Sequence, residues 1–287
     1  MKIVNVAVVT FNRLSLLKKT LESLENQSYP INKIYVIDNA SNDGTSEWLL
    51  EYVKNKQKIE VIIMPTNTGG AGGFYEGMKT AYKTCEYVWL MDDDGRPEKD
   101  CLANLISKAD KNAILNPLVL NEDDHNFLSF RLGKFTTKQE VESSSIGGLI
   151  WGHVNPFNGT LIESGVIDRI GLPKKDMFIW GDEEEYILRA KRLGVNVYTV
   201  VNALHYHPKE KSIKNKVLGG LLGVVNIKPL NMQNIYLRNQ FYNAIEYKLY
   251  FKLFVTFTKY IVFSIQDANF NLLKITIQSL KDAIEFD

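Results

Sequence analysis

The chain has 287 residues, 45% of them apolar and 23% charged, with a formal net charge of +1. That length and balance fit one large α/β domain plus an appendage, and they exclude a nucleic-acid binder driven by a global basic field. The two cysteines, Cys85 and Cys101, have neither metal nor redox spacing and read as free thiols of a reducing compartment.

Charge is unevenly spread. From Lys209 onward 11 Lys/Arg stand against 6 Asp/Glu, a local +5, which leaves the first 208 residues at −4. A tail of that sign suits an anionic surface, and equally a solvated basic face. The N-terminus lacks a signal-type apolar region, and no apolar stretch reaches the roughly 18 residues needed to cross a bilayer. The expected location is cytoplasmic, with contact at most to the inner face of a membrane.

In chain order, "KIVNVAVVT" is a near-continuous β-branched run, the pattern of a strand covered on both faces. "SLLKKTLESLENQ" predicts the first helix, with Ser15 as its cap. "KIYVIDN" and "TSEWLLEYVKNK" give the second strand and helix, and "IEVIIM" the third strand. "FYEGMKTAYKT" is a helix entered through the glycine-rich loop "NTGGAGGF"; "EYVWLM" is the fourth strand and "EKDCLANLISKA" the helix after it. Such β-α-β-α order implies a mostly parallel, Rossmann-like sheet flanked by helices, with ligands bound at the carboxyl ends of the strands. Beyond Lys111 the periodicity weakens, returning as a helix at "EEEYILRAKRLG" and a strand at "VNVYTVV". A change of composition near residue 210 marks the expected boundary between a domain over 1–210 and a helical region over 211–287.

The strand ends carry the chemistry. Asp92, Asp93 and Asp94 follow the fourth strand, where three adjacent carboxylates repel one another unless a cation or a shifted pKa compensates. A hard divalent cation supplies that compensation; an acidic turn capping the next helix is the plainer alternative. The glycine loop suits a close-bound anion, and Thr10, Arg13 and Asp38 end the first two strands with groups suited to a nucleotide. "MFIWGDEEEY" puts Asp182, Glu183, Glu184 and Glu185 at a helix start, where the helix dipole favours them and where one carboxylate could also take a proton. "NALHYHP" ends a strand with His205 and His207, either of which could ligate a metal or simply pack.

The ordered set "VVTFNR", "IDNASNDGT", "NTGGAGGF", "LMDDDGRP", "IGLPKKDMFIWGDEEEY" and "LHYHP" resembles the inverting GT-A glycosyltransferases of family two. It is most similar to the galactofuranosyl- and rhamnosyltransferase branch that builds bacterial surface polysaccharides. The resemblance spans residues 3 to 208, and "IYLRNQFYNAIEY" looks like the segment that follows in that branch. It implies metal-dependent, inverting transfer from a UDP- or dTDP-linked sugar to a glycan acceptor, expected to be lipid-linked, with no nucleic acid involved. Carried over by position, it gives Mn2+ or Mg2+ to Asp92, Asp94 and His205; His207 has no matching position and is left out. The nucleotide sugar falls to Thr10, Phe11, Arg13, Asp38, Asn67, Gly69, Gly70, Asp92 and Asp93. The catalytic base is Glu183, with Asp182 as its alternative because the family's usual pair ends in Asp. Trp180 and Trp151 would wall the acceptor site, with core packing of equal weight.

The tail segment "YKLYFKLFVTFTKYIVFSIQ" reads as an amphipathic helix lying on a membrane or packed on protein, a second subunit included. Two other functions use similar parts. A nucleotidyltransferase needs a basic residue for a triphosphate, which the glycine loop lacks. A non-catalytic nucleotide-sugar-binding protein would not need both the aspartates and the "GDEEEY" acids.

Overall fold

Every side chain of β1 (Val4–Thr10) is buried, because the strand is covered on both faces. The computed structural model describes residues 1–209 and 213–286. After β1 come α1 (Leu14–Glu25), β2 (Lys33–Asp38), α2 (Thr45–Tyr52), β3 (Ile59–Ile63), α3 (Gly69–Ala81) and β4 (Tyr87–Asp92). Then follow β5 (Arg96–Pro97), α4 (Cys101–Ser107), β6 (Ala113–Asn121), β7 (Phe127–Leu132), β8 (Phe135–Thr137) and α5 (Lys138–Ser144). Next come β9 (Leu149–Trp151), β10 (Thr160–Glu163), α6 (Ser164–Ile170), α7 (Asp182–Arg192) and β11 (Asn196–His207). The chain forms two compact units, Met1–Asp176 with Tyr186–Glu210, and Met177–Glu185 with Lys211–Asp287. The stretch from Met177 to Glu185 thus groups with the C-terminal residues, which a boundary placed at 210 did not anticipate.

In the first unit the main sheet runs β3-β2-β1-β4-β10-β6-β11-β5. β3, β2, β1 and β4 are mutually parallel and β6 is parallel to β11, while β10 is antiparallel to both its neighbours. Alternate residues feed opposite cores. Val4, Val6, Val8, Trp89 and Met91 meet Leu17, Leu21, Leu49, Leu102 and Leu105 on one face. Ala7, Val9, Val88 and Leu90 meet Phe74, Met78, Val166, Ile167 and Tyr186 on the other. Trp89 is fully buried, and its indole N–H donates to the carbonyl of Gly159 at 2.8 Å.

Two readings are corrected here. Ser15 lies inside α1, whose N-cap is Arg13 with no side-chain cap. The glycine stretch is the first turn of α3, not a loop before it. Its glycines serve close packing: a Cβ on Gly73 would stand 2.4 Å from the Val9 side chain, so α3 can approach β1 only where that atom is missing.

Pro117 in the middle of β6 masks a strand that sequence periodicity does not show. It pairs opposite Val200, where the β11 register jumps to Leu204, so its missing N–H falls at a bulge.

In the second unit, β12 (Ile213–Lys216) and β13 (Val224–Ile227) form an antiparallel hairpin before α8 (Leu230–Glu246), α9 (Tyr250–Gln266) and α10 (Phe270–Glu285). The region is therefore not wholly helical. "LGGLLG" is the hairpin turn, with Gly219, Gly220 and Gly223 at positive φ. Among the described residues no helix is long and apolar enough to cross a membrane.

Candidate active site

The parallel register sets Val9 beside Asp92, which brings the ends of β1 and β4 together. One residue further on, the Thr10 hydroxyl donates to Asp93 Oδ2 at 2.7 Å, and the Phe11 N–H approaches the same oxygen at 3.3 Å. Arg13 Nη1 reaches Asp93 Oδ1 at 3.4 Å and Asp94 Oδ2 at 2.8 Å. Thr20, buried on α1, holds the turn beneath, its hydroxyl 2.6 Å from the Asp93 carbonyl. The three aspartates therefore have three different environments.

Asp93 is buried, and desolvation pushes its carboxyl up to about 6 against the opposing pull of Thr10 and Arg13. It ties strand ends together rather than facing open space. A group whose folded pKa is raised contributes stability that is complete below its unfolded value near 4 and lost as pH rises through about 6. Asp93→Asn keeps an oxygen for Thr10 and Phe11 while removing that titration. In EDTA the variant is expected to match the wild type near pH 4 and to exceed it by up to about 3 kcal/mol above pH 7. Chemical denaturation across that range reads the difference; parallel curves would contradict it.

Asp94 lies between two cations. Burial opposes its ionisation, but the hydrogen bond and charge of His207, with Arg13, outweigh that and hold its carboxyl below the ordinary value. His207 Nε2 stands 2.9 Å from Asp94 Oδ1. Burial opposes charge on His207 as well, yet Asp94 raises the imidazole above its usual value. Its Nδ1 lies 2.7 Å from the Pro208 carbonyl, the outer hydrogen bond that fixes a ring to present Nε2.

Asp92 is the group that calls for a cation. Its carboxylate accepts no hydrogen bond among the described residues, and burial with the adjacent Asp94 and Asp93 charges holds its pKa well above the ordinary range. Asp92 and Asp94 thus fit a hard divalent cation by chemistry. No three His, Cys, Asp or Glu side chains among the described residues already stand grouped around an ion position. The two histidines have different surroundings. His205 is fully buried, both ring nitrogens lack hydrogen-bond partners among the described residues, and burial pushes its pKa down to about 3. A Cβ on Gly95 would fall 2.3 Å from its Nε2, so the ring packs against the aspartate turn. Residues two apart on a strand share a face, so periodicity could not separate the pair; His207 is one step nearer the strand end and meets Asp94.

The remaining nucleotide candidates divide. Asp38 is fully buried and accepts from Ser41 N–H at 3.0 Å and from the Ser46 hydroxyl, which organises the turn into α2. Phe11 is exposed, and a Cβ on Gly70 would meet open space. Asn67 Oδ1 accepts from Gly69 N–H at 2.8 Å. Buried Asn39, which sequence reading passed over, anchors that turn. Its amide donates to the Gly69 carbonyl at 2.9 Å and accepts from Thr68 N–H at 3.0 Å. Trp151 does not join this edge. It pairs with Tyr198 near the start of β11; the β6 partners of Tyr198 and His207, Leu115 and Asn121, are six residues apart, roughly 20 Å along the sheet.

The four acids of α7 also separate. Asp182 and Glu185 are buried, and Glu185 accepts from the Tyr247 hydroxyl at 2.8 Å. Glu184 pairs with Lys252 at 2.5 Å. Glu183 is half-buried and accepts from the Gly181 N–H at 2.9 Å. Trp180, half-buried, has the Lys228 ammonium 4.3 Å above its ring and Tyr236 edge-on at 6.1 Å.

The fold is that of the GT-A glycosyltransferases, as solved structures show. Over 99% of this chain and 80% of the other, the structure matches Staphylococcus aureus TarS residues 1–349 with a TM-score of 0.64 at 16% identity. It matches the mannosyltransferase PcManGT from Pyrobaculum calidifontis, solved with GDP-Man and Mn2+, over 100% and 76% of the two chains, with a TM-score of 0.59 and 16% identity. Residues 5–152 match the description "Glycosyl transferase family 2". Galactofuranosyltransferase GlfT1 of Mycolicibacterium smegmatis is 32% identical over 76% of this chain and 75% of its own length. Poly-beta-1,6-N-acetyl-D-glucosamine synthase of Staphylococcus epidermidis is 30% identical over 58% of this chain and 41% of its own length. The chain belongs to glycosyltransferase family 2 and is a glycosyltransferase related to galactofuranosyltransferase and to polysaccharide synthases.

Proposed function

We propose that this glycosyltransferase moves a sugar, galactofuranose first and rhamnose second, from a UDP- or dTDP-linked donor to a lipid-linked glycan acceptor with inversion, in the synthesis of a bacterial surface polysaccharide. The observation that carries the reading is the unpartnered carboxylate of Asp92 beside Asp94, itself in contact with His207 and Arg13. Asp92, Asp94 and, once the ion displaces its Nε2 proton, His207 would hold Mn2+ or Mg2+, and such an ion supplies charge neutralisation for a departing diphosphate. Arg13 adds a fixed cation at the same edge, and Phe11 a partly exposed ring for a base. The first turn of α3, open at Gly70, offers backbone N–H groups to an anion. Glu183 is the proposed base: it is half-buried and in no ion pair among the described residues, whereas Asp182 is buried. Its carboxylate takes the proton of the acceptor hydroxyl as the new glycosidic bond forms and the bond to the diphosphate breaks, so no covalent sugar–enzyme step is needed.

The relative GlfT1 supports galactofuranose as donor sugar. Exposed Phe251, Phe254 and Ile265 lie on one stripe of α9 near exposed Lys248, which suits an anionic membrane face where a lipid-linked acceptor resides. Release of nucleotide from UDP-galactofuranose, dTDP-rhamnose and UDP-N-acetylglucosamine, each with Mn2+ or EDTA, tests the donor. The expected result is Mn2+-dependent turnover of UDP-galactofuranose at least tenfold above the others. Turnover of none of them, or no effect of EDTA, would contradict the proposal.

A further inference from the structure

α8 carries a polar stripe that follows the turn before α7 residue by residue. Tyr236, Asn239 and Asn243 share one helix face, and Tyr247 continues that line just past the helix end. Tyr236 meets the Trp180 ring. The Asn239 amide donates to the carbonyls of Met177, Ile179 and Trp180 at 2.8, 3.0 and 3.0 Å. Asn243 donates to the Gly181 carbonyl at 2.9 Å, and Tyr247 to Glu185. Asn239 and Asn243 are fully buried. Arg238 fixes which way the Asn239 amide faces, since its Nε and Nη2 both donate to Asn239 Oδ1, at 3.0 and 2.9 Å.

The turn so held would not adopt this shape alone. Phe178 and Trp180, both bulky, have φ of 65° and 57°, and Gly181 has φ of 114°. Left-handed backbone at a residue with a side chain is sterically disfavoured. A mere connection would relax; a surrounding structure that over-determines such a turn is characteristic of a functional site. The strain ends at Gly181, whose N–H holds the Glu183 carboxylate, and it includes Trp180.

We infer that Asn239, backed by Arg238 and Asn243, is a positioning residue for sugar transfer: it fixes the strained turn that orients Glu183 and the Trp180 ring. The inference rests on the reading of Glu183 as base. Nothing in it touches donor binding, and that separation gives the test.

Full-length Asn239→Ala and the milder Asn243→Ser are compared with wild type for transfer from UDP-galactofuranose in Mn2+ and for UDP affinity by calorimetry. Asn239→Ala is expected to lower kcat about a hundredfold, with donor KM and UDP affinity within about twofold of wild type, because misplacing a catalytic group by ~1 Å has that size of effect. Asn243→Ser is expected to show the same split with a smaller fall. Should Asn239→Ala not fold, Asn243→Ser and Arg238→Lys carry the test. Equal losses of kcat and UDP affinity would mark a general structural role and overturn the inference, as would wild-type kcat in both variants. A wild type inert with every donor would overturn the underlying reading and this inference with it.

Discussion

Glu183→Gln is expected to slow sugar transfer by about 10²–10⁴-fold while leaving nucleotide binding unchanged. The four consecutive acids of α7 have distinct surroundings, and these decide the candidate. Glu184 is neutralised by Lys252, while Glu185 is buried against the Tyr247 hydroxyl. Asp182 is buried at the first position of the helix. Among the described residues Glu183 combines partial exposure with a backbone hydrogen bond, from Gly181, that a glutamine oxygen can also accept. The amide therefore preserves shape and removes only the capacity to take a proton. Transfer at the wild-type rate in Glu183→Gln would move the base to Asp182.

Asp94→Ala is expected to weaken Mn2+-dependent binding of UDP at least a hundredfold and to abolish measurable transfer. The magnitude exceeds the roughly 10–100-fold typical of groups that only support a metal ligand, because Asp94 is proposed to bind the ion directly. The substitution also strands two cations. Arg13 loses its 2.8 Å partner, and His207 loses the carboxylate that raises its pKa. Arg13 keeps Asp93 at 3.4 Å, so the strand ends stay tied and the protein is expected to remain folded. Binding of UDP that is unchanged in Asp94→Ala, with or without Mn2+, would remove Asp94 from the donor site.

Much of the first unit could be read from residues alone, for a physical reason. A parallel sheet buried on both faces demands unbroken apolar runs, and "VNVAVVT", "IYVID" and "YVWLMD" supply them. The aspartates were legible because charge at the end of such a run is costly without a purpose. What stayed hidden depended on long-range packing. Pro117 interrupts a strand that only the bulge in β11 makes feasible. The glycines of α3 looked like a flexible loop, whereas Gly73 is set by its distance to Val9. His205 and His207 have equal chemistry and equal facing, and only the position of the aspartate turn distinguishes them. Trp151 looked suited to a sugar, yet β9 pairs at the far end of β11. Asn239 lies in the "IYLRNQFYNAIEY" segment singled out from sequence, but nothing there gave it a role, since its partners are backbone carbonyls some sixty residues earlier.

The most direct test of the metal-held donor site is calorimetric titration of UDP into the wild-type protein, once in Mn2+ and once in EDTA. The account predicts one binding site per chain in Mn2+, weakened at least tenfold when the ion is removed. Equal affinity in the two buffers, or no binding in either, would contradict it.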